Sequence, residues 1–167
     1  MRKLITSLAL VLSALSSYAI TPLWMRDARI SPDGSEIVFC YKGDIYKVPA
    51  QGGTAVQLTT QTSYEANPVW SPDGKQLLVE VTKTDADELA REEDEQKGKL
   101  GVVARHYKRV FYKLDGVGYL PQERTHLWVV DAKTGKAKQL TDSEVFDEAN
   151  ASWSPDGKWI VYLSDRA

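Results

Sequence analysis

Short stretches rich in β-branched and aromatic residues, separated by turn-forming residues, run through most of the chain. Three of these stretches, EIVFCYK, KQLLVEV and KWIVYLS, each follow a copy of the tetrapeptide Ser-Pro-Asp-Gly. Two others, DIYKVPA and HLWVVDA, lead into Gly-containing turns, after which come AVQLTT and AKQLTD. Apolar or alternating runs of this length between turn residues are typical of β-strands. The pattern therefore predicts an all-β chain of short antiparallel strands.

The tetrapeptide is the most informative motif because each of its residues has a reason to be in a tight turn. Proline presets φ at the first corner, aspartate can accept hydrogen bonds from neighbouring groups of the chain, and glycine tolerates positive φ. We expect every copy to form a hairpin corner with a structural role. The three copies are Ser31, Pro32, Asp33 and Gly34; Ser71, Pro72, Asp73 and Gly74; and Ser154, Pro155, Asp156 and Gly157.

The spacing of the copies indicates a repeat architecture. The copies begin at Ser31, Ser71 and Ser154, so the gaps are 40 and 83 residues. A period near 40 residues is typical of a β-propeller blade. Both units have the same order of strands and turns, and each reaches the next copy through a polar stretch that we predict to be a loop, QTSYEANPVW or SEVFDEANASW. The longer gap is then one blade with an insertion at about 84–125, rather than two blades.

The predicted fold is a partial β-propeller, with about two blades and the start of a third. Each blade is expected to be an antiparallel four-stranded sheet, and rings usually need about four to eight of them. We therefore interpret 20–167 as an incomplete propeller domain of a larger protein. The insertion begins with charged, helix-forming residues and continues with a sequence typical of an extra hairpin, which contains Gly116 and Gly118.

The first nineteen residues differ from the rest. Arg2 and Lys3 precede the apolar run 4–15, and small residues at Ser17 and Ala19 suit cleavage after Ala19, as in a secretory signal peptide. We therefore predict 1–19 as a signal peptide and a periplasmic or secreted location. No later segment is apolar enough to span a membrane. Cleavage leaves 19 basic and 23 acidic residues, a balance that disfavours nucleic acid as a partner.

The residues that could carry catalysis are few. The only histidines are His106 and His126, and the only cysteine, Cys40, lies in a strand-like stretch. No GxSxG nucleophile elbow is present. We expect both histidines to be structural or solvated and the cysteine to be a small buried apolar residue. The turns themselves account for the three repeated aspartates, so we predict no catalytic, metal-binding or cofactor-binding residue.

The insertion allows two interpretations of its charges. Residues 85–99 contain seven acidic and three basic residues, which favours a solvated helix or loop. The functional alternative is capture of peptide N-termini or a lining for an access channel. The basic and aromatic residues that follow could stack on single-stranded nucleic acid, but a β-ribbon with one packed face is favoured. Four tryptophans at strand or pre-turn positions are expected in the core and between blades: Trp70, Trp128, Trp153 and Trp159.

The motifs together resemble known propeller proteins. The blade pattern is similar to that of the Tol translocation protein and of several peptidases. The opening, TPLWMRDARISPDGSEIVFCYKGDIYKVPAQGGTAVQLTT, resembles the start of secreted tricorn-type peptidases. The later YKLDGVGYLPQERTHLWVVDAKTGKAKQLTD, with SWSPDGKWIVYLSDR, resembles the propeller of the acylaminoacyl-peptidase branch of the prolyl oligopeptidase family.

This last resemblance implies a function for the whole protein. In that family the propeller precedes an α/β-hydrolase domain with a Ser, Asp, His triad and restricts access to short peptides. The resemblance thus implies a non-catalytic propeller that gates or orients peptide substrate for a catalytic domain outside this chain. Two alternatives remain open at this point: the propeller of a tricorn-type peptidase, and a periplasmic Tol-type scaffold that binds protein partners.

Overall fold

The computed structural model describes residues 24–93, 107–108, 110–116 and 118–166. Its main elements are two antiparallel sheets of four strands and a third of two strands. The first sheet, which we call the first blade, has the order β1 (Arg26–Ile30), β2 (Glu36–Tyr41), β3 (Asp44–Pro49) and β4 (Val56–Gln57).

The second blade repeats this order and contains the insertion. Its strands are β5 (Ser63–Trp70), β6 (Gln76–Lys83), β9 (Thr125–Asp131) and β10 (Ala137–Gln139). The third blade is represented by β11 (Glu148–Trp153) and β12 (Ile160–Ser164). The predicted all-β fold, with two blades and the start of a third, is confirmed.

The core lies between the blades, because β6 is apolar on both of its faces. Leu77, Val79 and Val81 pack toward the first blade, where they meet the cluster that contains Val38. Leu78, on the opposite face, packs in the cluster that includes Ala151 of the third blade and the neighbouring Trp153 and Ile160. Successive strand residues point to opposite faces, so the consecutive apolar residues Leu77, Leu78 and Val79 serve both neighbours of this sheet.

The prediction of loops before the second and third turns is wrong. Most of QTSYEANPVW forms β5, and the last six residues of SEVFDEANASW form β11, while 61–62 and 143–147 lie outside the strands. Both strands change register at a residue with positive φ, Asn67 at 49° and Asn150 at 53°, and β1 does the same at Asp27 at 54°. A β-bulge of this kind breaks the alternation of polar and apolar residues, which explains why the pattern does not look like a strand.

The insertion leaves and rejoins one hairpin of the second blade. β6 ends at Lys83 and β9 begins at Thr125, and Thr82 pairs with Thr125 in the sheet. The described part of the insertion contains α1 (Ala86–Glu93) and a short ribbon of β7 (Lys113–Leu114) and β8 (Gly118–Tyr119).

Several predictions fall on residues that the structure does not describe. They concern the signal peptide at 1–19, His106, and the part of the charged run beyond α1, residues 94–99. Within the described ranges, no helix has both the length and the apolar character that crossing a membrane requires.

Candidate functional site at the blade junctions

The three Ser-Pro-Asp-Gly turns have one hydrogen-bonding pattern. In the first, Gly34 N donates to Ser31 O at 2.9 Å, and Asp33 Oδ1 accepts from Ser31 Oγ at 2.6 Å and from Ser35 N at 3.1 Å. The second and third turns repeat each of these bonds. The Ser31 hydroxyl, followed by the Ser35 groups, lowers the pKa of Asp33 to about 2. These carboxylates are acceptors within their own turns.

The turns also contact one another from blade to blade. A Cβ added to Gly74 would lie 3.6 Å from Pro32 Cδ, and one added to Gly157 would lie 3.7 Å from Pro72 Cδ. Each glycine thus faces the proline of the preceding turn, so the corners follow one another along one end of the sheets. Across the described ranges, no three His, Cys, Asp or Glu side chains come together as metal ligands would.

One side chain of β6 holds the bulges of both β5 and β11. Glu80 accepts from Asn67 Nδ2 at 2.8 Å and from Asn150 N at 2.6 Å. The corresponding residue of the first blade is Cys40, which is 2% exposed. Burial, followed by the influence of Asp27, raises the pKa of Cys40 to about 12. As predicted, Cys40 is a buried core residue.

A buried ion cluster links the second and third blades. Glu148 is fully buried and accepts from Arg166 Nη2 at 3.0 Å, while His126 Nδ1 lies 2.8 Å from its other oxygen. Beside it, Arg124 Nη1 donates to Asp147 Oδ2 at 2.9 Å. Among the described residues, no hydrogen bond joins His126 to a serine, threonine or cysteine. The contact that the structure gives His126 is the one with the buried Glu148.

A polar cleft of about 690 Å³ lies beside this cluster, where the insertion meets the second blade. Charges of both signs line it, so it suits a polar ligand with charges of its own. Ser143 is one wall residue, but its hydroxyl accepts from Val145 N and Phe146 N instead of pairing with a base. The charged lining residues are Lys83, Asp85, Lys108, Glu123, Arg124, Asp142 and Glu144, and His126 also lines the cleft.

A second buried carboxylate, Glu65, lies at the junction of the first and second blades and is 2% exposed. It accepts from the hydroxyl of Thr59 and from Ser63 Oγ at 2.7 Å, and Thr59 Oγ1 in turn accepts from Ile45 N at 3.0 Å. Burial raises the pKa of Glu65. Glu65 borders a cavity of about 220 Å³ with mostly apolar walls.

Sequence reasoning missed both Glu65 and Glu148. A signal was nevertheless present, because each lies nine residues before the glycine of its turn. The expectation that all four tryptophans are packed is wrong for Trp159, which is 72% exposed. Trp159 occupies the place of Gln76 and Glu36 in the other blades, just after the turn and outside the core.

The tryptophan before each later turn makes the same bond to the blade before it. Trp70 Nε1 donates to Arg29 O at 3.2 Å, and Trp153 Nε1 donates to Val69 O at 3.3 Å. Successive four-stranded sheets joined by a repeated contact of this kind are propeller blades. The described chain is a partial β-propeller.

Comparison with known proteins agrees with the predicted resemblance. No protein-family model matches the chain. It is 34% identical over 145 residues to the uncharacterized peptidase YuxL of Bacillus subtilis, a match that covers 83% of this chain and 22% of that protein. The chain therefore spans about a fifth of the length of this curated relative.

Three solved structures share the fold of this propeller. The acylaminoacyl peptidase of Pyrococcus horikoshii matches with a TM-score of 0.57 and 21% identity, over 83% of this chain and 20% of that chain. A putative TolB of Agrobacterium tumefaciens matches with a TM-score of 0.51 and 23% identity, over 83% of this chain and 38% of that chain. Dipeptidyl peptidase 4 of Porphyromonas gingivalis matches with a TM-score of 0.55 and 13% identity, over 84% of this chain and 22% of that chain. The propeller is thus similar to those of peptidases and of TolB.

Proposed function

We propose that this propeller is the non-catalytic part of a serine-type peptidase and that it gates or orients peptide substrates. The observation that carries the proposal is the 34% identity, over most of the chain, to a bacterial peptidase. The described residues hold buried structural ion pairs and turn carboxylates, but no hydrogen-bonded nucleophile and base. We place catalysis in a separate domain, as the resemblance to the prolyl oligopeptidase family implies.

The polar cleft beside the insertion supports a role in peptide handling. Its lysines and arginine could attract carboxylates, while its acidic residues could attract ammonium groups. A peptide carries both kinds of charge at its ends. Such a surface would select extended or short chains by size and orient them by charge.

The coding sequence beyond residue 167 gives the first test. An α/β-hydrolase domain with a GxSxG elbow would support the prolyl oligopeptidase type, and a tricorn-like peptidase domain would support that alternative. A gene that ends after further blades, with no catalytic domain, would overturn the proposal.

Activity assays give the second test. The 167-residue chain is expected to hydrolyse neither short peptides nor proteins, whereas the complete protein should cleave short peptides and spare folded proteins. If the complete protein cleaved folded proteins as fast as short peptides, gating would be contradicted. Peptidase activity of the 167-residue chain alone would contradict its non-catalytic role.

A scaffold that binds protein partners is the second candidate, favoured by the likeness to TolB over 38% of that chain. In both cases we propose export to the periplasm or beyond, from the pattern of 1–19. N-terminal sequencing of protein expressed in a bacterial host should then give Ile20 as the first residue. A mature chain that begins at Met1 would contradict export by cleavage.

A further inference from the structure

The two buried junction carboxylates occupy matched places but have different partners. Glu148 contacts two potential cations, His126 and Arg166. Glu65 is almost as buried, yet its side-chain partners are the hydroxyls of Thr59 and Ser63. No described residue forms an ion pair with Glu65. A buried carboxylate without a cation is costly, so this junction differs from its counterpart in a way that needs a reason.

The residue in the place of Arg166 is Lys83, since each lies nine residues after the glycine of its turn. Lys83 does not contact Glu65 as Arg166 contacts Glu148. Its ammonium instead lies 5.8 Å from the centre of the Trp128 ring. His126 directly precedes Leu127, whose N–H donates to Thr141 Oγ1. In the first blade, Asp44 directly precedes Ile45, whose N–H donates to Thr59 Oγ1, so Asp44 takes the place of His126. Among the described residues, the first junction therefore has no counterpart of the contacts that Glu148 makes with His126 and Arg166.

The 220 Å³ cavity brings Glu65, Lys83 and Trp128 into one lining. The rest of its wall is mainly apolar and includes Val81 and Val130. The Trp128 indole Nε1 is buried, and the structure gives it no hydrogen-bond partner among the described residues. Within the described part of the chain, one small cavity is thus lined by an acidic residue without an ion-pair partner, a tryptophan whose indole donor has no acceptor, a lysine and a mainly apolar surface.

We propose that this cavity binds a single α-amino acid with an apolar side chain. The ligand ammonium would pair with Glu65, its carboxylate would accept from the Trp128 indole and pair with Lys83, and its side chain would contact Val81 and Val130. Pockets for drug-sized ligands begin at about 300 Å³, so this smaller cavity suits one amino acid. The site goes beyond the proposed function and does not depend on a catalytic domain.

Calorimetric titration of the 167-residue chain with L-leucine tests the proposal. Two analogues of leucine each lack one charge: 4-methylpentanoate has no amine and 3-methylbutylamine has no carboxylate. We expect leucine to bind and each analogue to bind at least about tenfold more weakly, because a charged hydrogen bond is lost. The proposal is overturned by absence of saturable leucine binding at millimolar concentration, or by equal affinity for leucine and both analogues.

Two variants assign the ends of the ligand. Glu65→Gln should weaken leucine binding about tenfold or more and leave 4-methylpentanoate binding unchanged, because Gln keeps the hydroxyl partners but not the charge. Lys83→Met should weaken leucine binding and leave 3-methylbutylamine binding unchanged. Lys75→Met is the matched control, since the Lys75 side chain is 79% exposed on the same blade.

Far-UV circular dichroism of each variant separates lost binding from lost folding. If Glu65→Gln and Lys83→Met fold and bind leucine as the wild type does, the site is not where we place it. If a variant does not fold, the comparison of leucine with its analogues on the wild-type chain still decides the proposal.

Discussion

Trp153 donates its indole Nε1–H to the carbonyl oxygen of Val69, 3.3 Å away in the preceding blade. Trp70 makes the equivalent bond to Arg29 O at 3.2 Å. In both cases the tryptophan ends the first strand of its blade, directly before the turn. The same contact at two junctions means that both pairs of blades pack in the same way, as a circular assembly of repeated wedges requires.

Replacing Trp70 by Phe should lower the free energy of unfolding by about 1–2 kcal/mol, because Arg29 O loses its donor and a mostly buried side chain becomes smaller. Trp159→Phe is the control, since Trp159 is 72% exposed, and it should change stability by less than about 0.5 kcal/mol. Urea unfolding of the three chains gives the comparison. Equal costs for the two substitutions would contradict a special role for the junction tryptophan.

Gly135 lies where the β9–β10 turn of the second blade approaches the first blade. Its φ is +72°, and a Cβ there would lie 2.1 Å from Leu58 O. Gly34 has a similar φ of +74° but nothing within 4 Å of such a Cβ. Gly34→Ala should therefore cost about 1–2 kcal/mol for its left-handed conformation alone. Gly135→Ala should cost clearly more, because the turn must also move away from Leu58.

Thermal unfolding of both glycine variants measures this difference. Both glycines have a left-handed φ, so the destabilisation by Gly34→Ala measures the conformational cost alone. The additional destabilisation by Gly135→Ala then measures the close contact with Leu58. If Gly135→Ala were no more destabilising than Gly34→Ala, the two blades would not be packed as closely as the structure shows.

The Asp33 turn should make stability depend on pH in the acidic range. The hydrogen bonds of Ser31 and Ser35 lower the pKa of Asp33 from 3.8 to about 2 in the folded chain. The carboxylate therefore contributes stability above pH 3.8, and this contribution is lost as the pH falls from 3.8 toward 2. Asp33→Asn should remove that part of the dependence. The measurement is the free energy of unfolding of wild type and variant at several pH values between 2 and 3.8. The same change with pH in both proteins would contradict the prediction.

Removing His126 should lower the free energy of unfolding, because the buried Glu148 carboxylate loses a partner. His126→Leu leaves one oxygen of a fully buried carboxylate without its hydrogen-bond partner and should destabilise the chain by about 2–3 kcal/mol. The double variant with Glu148→Leu should recover about 1–2 kcal/mol, since no buried charge remains. A double-mutant cycle by urea unfolding measures this coupling, and strictly additive costs would contradict it.

The sequence predicts the turns and the blade order well because those features are local. Pro, Asp and Gly each have intrinsic reasons to form the corner, and the apolar run of β6 directly reflects burial on two sides. The bulged strands β5 and β11 escape prediction for the opposite reason. Their polar residues, such as Asn67 and Glu148, are satisfied by another strand or by the neighbouring blade, and these partners cannot be identified from the local pattern.

The difference between the two junction carboxylates also depends on long-range contacts. The repeat places Glu65 and Glu148 at matched positions, but only the structure shows that Arg166 reaches its partner while Lys83 lies against Trp128. Matched spacing thus predicts where a junction residue lies. Its partners depend on side-chain packing between sheets.

The most direct test of the stacked-blade arrangement is hydrogen exchange of the indole N–H groups, followed by ¹H–¹⁵N NMR. The account predicts slow exchange at Trp70 and Trp153, whose indoles are bonded across the two junctions, and fast exchange at Trp159 on the surface. Exchange at Trp70 and Trp153 as fast as at Trp159 would mean that the sheets do not pack on one another as propeller blades.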